Sequence, residues 1–276
     1  MQKAASFIKQ LIIRINEDDV AGLSAQLAYF LLLSLFPFLI FLVTLIGYIP
    51  LDNVDVIGFF SAYAPAEILE LIETNIDHIS EQRNGGLLSI GIIGTLWSAS
   101  NGINAIMRAF NKAYDVEENR SFIVSRLIAI VLTIAMLLVI VMAFLLPIFG
   151  KQIGIFIFSF LGLSAGFLEI WNTLRWVISS FVLFVVLLAL YKLAPNKRVS
   201  FRNVAVGAVF ATIGWQLVSL AFSYYVTTLG NYSATYGSLG SVIVLMIWFF
   251  ISGMIIIVGG EINALLKEQY PKIKGK

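Results

Sequence analysis

The chain has 276 residues, 59% of them hydrophobic and only 12% charged, with a mean hydropathy of +0.93. A soluble domain carries about 25% charged residues, so this composition excludes an ordinary water-soluble protein and points to an integral membrane protein. The absence of cysteine and the single histidine, His78, exclude disulfides, thiolate chemistry and a multi-histidine metal site, and the net charge of +2 gives no reason to expect a nucleic-acid partner.

The first segment, residues 1–22, opens "MQKAASFIKQLIIRINEDD". Phe7, Leu11, Ile12 and Ile15 recur at helical spacing, while Lys9 and Arg14 interrupt any uniform apolar core of a cleaved signal. The segment reads as an amphipathic helix on the membrane surface or as a plain cytosolic leader helix. A membrane helix needs about 20 mostly apolar residues, and six such runs follow. They cover about 23–49, 86–107, 127–149, 176–193, 204–227 and 239–265, within a membrane domain of 23–266 that precedes a basic tail, 267–276. Lipid offers no partner to backbone polar groups, and the runs are apolar all round rather than alternating, so they are helices. The expected fold class is an all-α integral membrane protein, a six-transmembrane-helix bundle with the N-terminal amphipathic helix and a second amphipathic helix outside.

That second helix is expected in the loop between the first two spans. Residues 51–85 carry seven acids against one cation, and Ile68, Ile72, Ile76 and Ile79 follow Pro65 at helical spacing. The second span has a ridge of small residues, Gly91, Gly94, Ser98, Gly102 and Ala105, and the fifth has Gly207, Ala211, Gly214 and Ala221. Membrane helices associate through close packing of such residues, which places these two spans at the bundle centre. The third span is uniformly bulky and is expected to face lipid. Pro37 and Pro147 remove backbone donors from the first and third spans. Residues 153–168, between Lys151 and Glu169, are too short to settle alone as a seventh span or a re-entrant or interfacial piece. Lys and Arg collect in cytoplasmic loops. Six spans with both termini inside leave only Arg83, Lys151 and Arg175 outside, whereas a seventh span would move eight cations out, so 153–168 is expected to cap the outer face.

Polar residues within the spans are the candidates for function. Glu261, in "IIIVGGEINALLK", is the first charge after Arg202. A central carboxylate costs about 2.5–3.5 kcal/mol on insertion scales and tends to mark an ion or substrate path. With both ends inside, Glu261, Arg108, Asn104, Asn101, Gln26 and Tyr29 fall at similar depth on three helices, which suggests one pocket on the cytosolic side. Glu261 has two readings there: a structural one, paired with Arg108 or ending its helix, and a proton- or cation-binding one. On the outer side "GNYSATYGSLGS" offers Asn231, Tyr232 and Tyr236, as a polar-group site or as turn geometry with interfacial tyrosines. "GINAIMRAF" at 102–110 faintly echoes "EINALLKEQ" at 261–269.

Four blocks carry a resemblance to a known family: "AQLAYFLLLSLFPFLIFL" (25–42), "GINAIMRAFNKAYDVEENRSFIVSRL" (102–127), "LYKLAPNKRVSF" (190–201) and "YVTTLGNYSATYGSLGSVIVLMIWFFISGMIIIVGGEINA" (225–264). In their order and spacing they resemble the YihY/BrkB family of bacterial inner-membrane proteins, over about residues 17–266. The resemblance implies a multi-pass protein of the bacterial plasma membrane with both termini cytoplasmic. It implies little about activity, since the family is often suspected of transport and some members once bore a ribonuclease label. RNA cleavage calls for a metal-binding carboxylate cluster or a His/Lys acid–base pair, and neither is evident, so no enzyme activity, cofactor or metal is expected. The expected function is a membrane transporter or lipid-translocating protein, with membrane lipid as partner and a lipid or small molecule as substrate. The alternative is a non-transporting scaffold of an envelope complex.

Overall fold

A computed structural model describes residues 2–46, 85–139, 167–229 and 238–269. Those residues form seven helices, α1 Gln2–Glu17, α2 Val20–Ile46, α3 Gly85–Ala113, α4 Phe122–Val139, α5 Phe167–Leu193, α6 Phe201–Leu229 and α7 Ser238–Gln269. Helices α2 to α7 are each long and apolar enough to cross a membrane. The protein is therefore an integral membrane protein, all-helical and with six spans among the described residues. The expected outer amphipathic helix, Pro147, most of the 153–168 stretch, and Asn231, Tyr232 and Tyr236 lie outside the described residues.

Helix ends differ from the hydropathy limits because capping, and not apolarity, sets them. α2 starts at Val20 rather than Leu23. Asp19 stands just before it with φ 53°, a left-handed value that Asp tolerates better than most residues, and its side chain accepts the Gly22 N–H at 3.2 Å. α3 runs past Met107 to Ala113 and ends in a Schellman turn. Asp115 has φ 49°, its N–H reaches the Lys112 carbonyl, and the Val116 N–H reaches the Asn111 carbonyl at 2.9 Å.

The chain forms two compact units, one of residues 1–30 and 100–276 and the other of residues 31–99. In the smaller unit, α3 passes under α2 where it has no side chain. A β-carbon on Gly91 would lie 2.8 Å from the Phe41 backbone, and one on Gly94 would lie 2.9 Å from the Pro37 ring. In the larger unit Leu27 of α2 is the corresponding knob. Its two methyls lie 2.9 Å from where side chains would start on Gly102 of α3 and Gly253 of α7. α6 packs along α7, α5 along α6, and α1 against α7. The tightest crossing is α6 on α7. A β-carbon on Gly207 would collide with the Gly259 carbonyl oxygen, and one on Gly259 with the Tyr191 hydroxyl.

The small-residue ridges thus sit where close packing requires them: Gly91, Gly102, Ala105, Gly207 and Ala211 are buried, while Ala221 is exposed. α4 divides its bulky residues by face. Leu127, Val131, Ile134 and Leu138 form an exposed stripe, and Ala129, Leu132 and Thr133 are buried. Replacing Gly207 by Ala is expected to cost about 1–3 kcal/mol, as overpacking of a filled core does. Thermal unfolding of the detergent-solubilised protein checks this, with Val206→Ala, on the exposed side of the same helix, as the near-neutral comparison.

Candidate functional site

Glu261 owes its position to the glycines before it. Gly259 allows α7 to touch α6 and the Tyr191 hydroxyl, which donates to the Ile256 carbonyl at 2.7 Å. Gly260 lies against the Phe110 ring, which itself packs on Tyr191 with centroids 5.1 Å apart. Two residues beyond Glu261, the Asn263 side chain accepts the Gly207 N–H at 2.7 Å. With α7 held on three sides, Glu261 and Asn263 are both 0% exposed. Neither carboxylate oxygen of Glu261 has a hydrogen-bond donor, and the Asn263 amide nitrogen is also without a partner. The charged groups whose fields reach Glu261 include Asp18, from the turn after α1, and the cations Arg14 and Lys112.

The nearby cations also bind other groups. Arg14 donates to the Ala113 carbonyl at 3.0 Å and to the Glu268 carboxylate at 2.6 Å. Lys112 donates to the Glu17 carbonyl at 2.8 Å and stands 4.0 Å from Asp18. Tyr114, just beyond the end of α3, has a buried hydroxyl without a partner. Burial pushes that phenol well above its ordinary range, and the nearby Glu261 charge adds to the effect.

The α3–α4 and α5–α6 connections are bonded together. Asn111 accepts the Asn196 N–H at 2.6 Å and donates to Glu118 at 2.9 Å. Glu118 receives Arg120 at 2.6 and 2.7 Å, and Arg120 also donates to the Leu193 and Ala194 carbonyls at the end of α5. Asn196 donates to the Glu117 carbonyl and Lys197 to that of Tyr114. The Arg120 hydrogen bonds hold the Glu118 carboxyl down at about 2. An open groove of ≈ 460 Å³ next to this network is lined by Lys192, Lys197 and Arg198.

The six inner-side candidates do not converge on one pocket. Arg108 donates to Gln26 at 2.8 Å on an exposed face, so the expected Glu261–Arg108 pair is replaced by Arg108–Gln26. Asn101 accepts Arg126 at 2.7 Å. Asn104 is half-buried, and Tyr29 is 57% exposed with its ring edge on Phe30. Counting along the spans did not give direction around each helix. Residues 101, 104 and 108 share the less buried side of α3, opposite Ala105, Ile106, Ala109 and Phe110. Asp18 was missed among the charges that act on Glu261, although it continues the Phe7, Leu11, Ile15 spacing by one more step.

Comparison with known proteins places this architecture. The family model described as Virulence factor BrkB matches residues 11–276. The chain belongs to the BrkB family. Among BrkB-like relatives it is 57% identical to the ribonuclease-like protein YfkH of Bacillus subtilis strain 168, over 96% of each chain. It is 30% identical to a UPF0761 membrane protein of Chromohalobacter salexigens, over 95% of this chain and 63% of the relative. With the UPF0761 membrane protein VP0125 of Vibrio parahaemolyticus the identity is 28%, over 98% and 84%. No solved structure matches.

For this BrkB-family chain, Glu118 gives a pH prediction with a definite sign. Its folded value lies below the ordinary 4.5, so its contribution to stability is present above about 4.5 and is lost as pH falls towards about 2. Glu118→Gln is expected to lower the melting temperature at pH 7, and the gap to wild type is expected to close as the buffer is acidified through that window.

Proposed function

We propose that this protein is a transporter or lipid-translocating protein of the bacterial plasma membrane, with both termini in the cytoplasm. The observation that carries the reading is the Glu261 carboxylate, fully buried in a membrane-spanning helix and without a hydrogen-bond donor. A helix that keeps such a group within the membrane does so, as a rule, where it marks an ion or substrate path. The orientation is supported by the gathering of Lys and Arg in the α1, α3–α4, α5–α6 and C-terminal segments. The sequence contains no G-x-x-x-x-G-K-[ST] loop, so the driving force in this reading is an ion gradient, a partner, or the substrate's own gradient. We do not extend the ribonuclease word in the relative's name to this chain. Among the described residues no three His, Cys, Asp or Glu side chains are grouped to hold a metal ion.

One observation favours a second reading, a static scaffold of an envelope complex. The packing around Glu261 is close, with Gly259 and Gly260 filled by Tyr191 and Phe110, and the two polar loops are bonded to each other. Flux separates the two. Purified protein in vesicles is expected to move a fluorescent phospholipid between leaflets, or protons measured with an internal pH dye, faster than protein-free vesicles. Glu261→Gln is expected to return that rate to the protein-free background. Equal rates for wild type and Glu261→Gln would remove Glu261 from the path, and no flux from wild type in either assay favours the scaffold.

A further inference from the structure

The α5–α6 connection gathers positive charge without neutralising it. Its groove of ≈ 460 Å³ is lined by Lys192, Lys197 and Arg198 beside the apolar Leu193, Pro195 and Val199, and no acid lines it. Each cation is placed by something other than a carboxylate. The Lys192 ammonium stands 3.3 Å from the centroid of the Phe201 ring, an attraction that leaves its full charge in place. Lys197 donates to the Tyr114 carbonyl at 3.1 Å, a neutral acceptor that takes one of its three N–H groups. Arg198 is exposed, and among the described residues it enters no ion pair. Glu118, in the connection bonded to this one, is already taken by Arg120 at 2.6 Å. The frame is fixed, since Asn196 donates to Asn111 at 2.6 Å and to the Glu117 carbonyl at 2.7 Å. Like charges held around a concave space focus a positive potential into it. Topology alone asks for cations in a cytoplasmic loop, but not for three of them around one groove.

The groove lies at the ends of two neighbouring spans. Leu193 is the last residue of the α5 span and Phe201 the first of the α6 span, and both are exposed. Apolar surface for acyl chains thus adjoins a cationic hollow for an anion. Three cations around one space suit a phosphate, because a guanidinium takes two of its oxygens at once and ammonium groups meet the others. We propose that this groove binds the phosphate headgroup of an anionic phospholipid, with Lys192, Lys197 and Arg198 on the phosphate and Leu193 and Phe201 against the chains. Basic pockets at the cytoplasmic ends of membrane helices suit such headgroups, and the orientation proposed above makes this a lipid of the inner leaflet. The leaflet rests on that orientation. Binding itself requires neither flux nor Glu261, so it and the transport reading can fail separately.

Native mass spectrometry of the delipidated full-length protein in detergent, at low ionic strength, tests the site. The probes are dioleoylphosphatidylglycerol, which is anionic, and dioleoylphosphatidylcholine, which is not. Each cation near a membrane surface contributes about fivefold, so wild type is expected to prefer the phosphatidylglycerol on the order of 100-fold. Lys192→Gln/Arg198→Gln is expected to reduce that preference to about fivefold. Lys9→Gln/Arg175→Gln removes the same charge from α1 and from a point on α5 about 26 Å before Lys192, and is expected to leave the preference as in wild type. An equal loss in both double variants assigns the preference to bulk charge and overturns the site, as does a wild type that binds the two lipids alike. Soluble sn-glycerol 1-phosphate is expected to bind far more weakly than the lipid. Equal affinity for the two makes the groove a soluble-phosphate site and overturns the lipid. If the double glutamine variant does not fold, Arg198→Gln at an exposed position is expected to lower the preference about fivefold by itself, and an unchanged preference there also overturns the site.

Discussion

The structure depends on one close approach, the crossing of α6 and α7 at Gly207 and Gly259. Lipid supplies no hydrophobic force between helices, so association rests on contact between surfaces that fit. Here the fit is backbone to backbone, and the space left over admits the Tyr191 hydroxyl to the Ile256 carbonyl. One turn further on, Asn263 reaches the Gly207 N–H. Gly260 receives Phe110 and thereby seats α3. Glu261 is buried as a consequence of these contacts, between a glycine and an asparagine that are each committed to a different neighbour.

The charges at this end of the protein close helix ends. The C-terminal carbonyls of a helix have no partner within it and carry partial negative charge. Four of the chain's cations take up such carbonyls on a neighbouring element: Arg14 at Ala113, Lys112 at Glu17, Arg120 at Leu193 and Ala194, and Lys197 at Tyr114. Residues that read as topology signals in the sequence also act as caps in the fold. That double role explains why α3 and α5 end cleanly in short, bonded connections rather than fraying into solvent.

Much of this was legible from composition. Six spans follow from uninterrupted apolar length, and the glycine ridges on the second and fifth spans mark the faces that pack. What the sequence did not disclose was azimuth. Counting along the spans suggested a Glu261–Arg108 pair, but Arg108 donates to Gln26, while the charges that act on Glu261 include Asp18. The second carboxylate was masked by its setting, since "NEDD" reads as a helix end full of solvated acids. Asn263 was hidden for the opposite reason: a lone amide in an apolar run gives no sign of which backbone it will serve. Helix limits were misjudged by a few residues because Asp19 and Asp115 terminate helices through left-handed turns that hydropathy does not register.

Asp19 is one residue with two duties: it closes α1 and opens α2. With Asp18 it makes up the whole connection between α1 and the first span. α1 is about 24 Å long, and its direction from α2 is set by the dihedral angles of these two residues. A small change at Asp19 is multiplied over that length, while α2, anchored by Leu27 between two glycines, stays where it is. The chain thus sets the direction of a sixteen-residue helix with a two-residue turn.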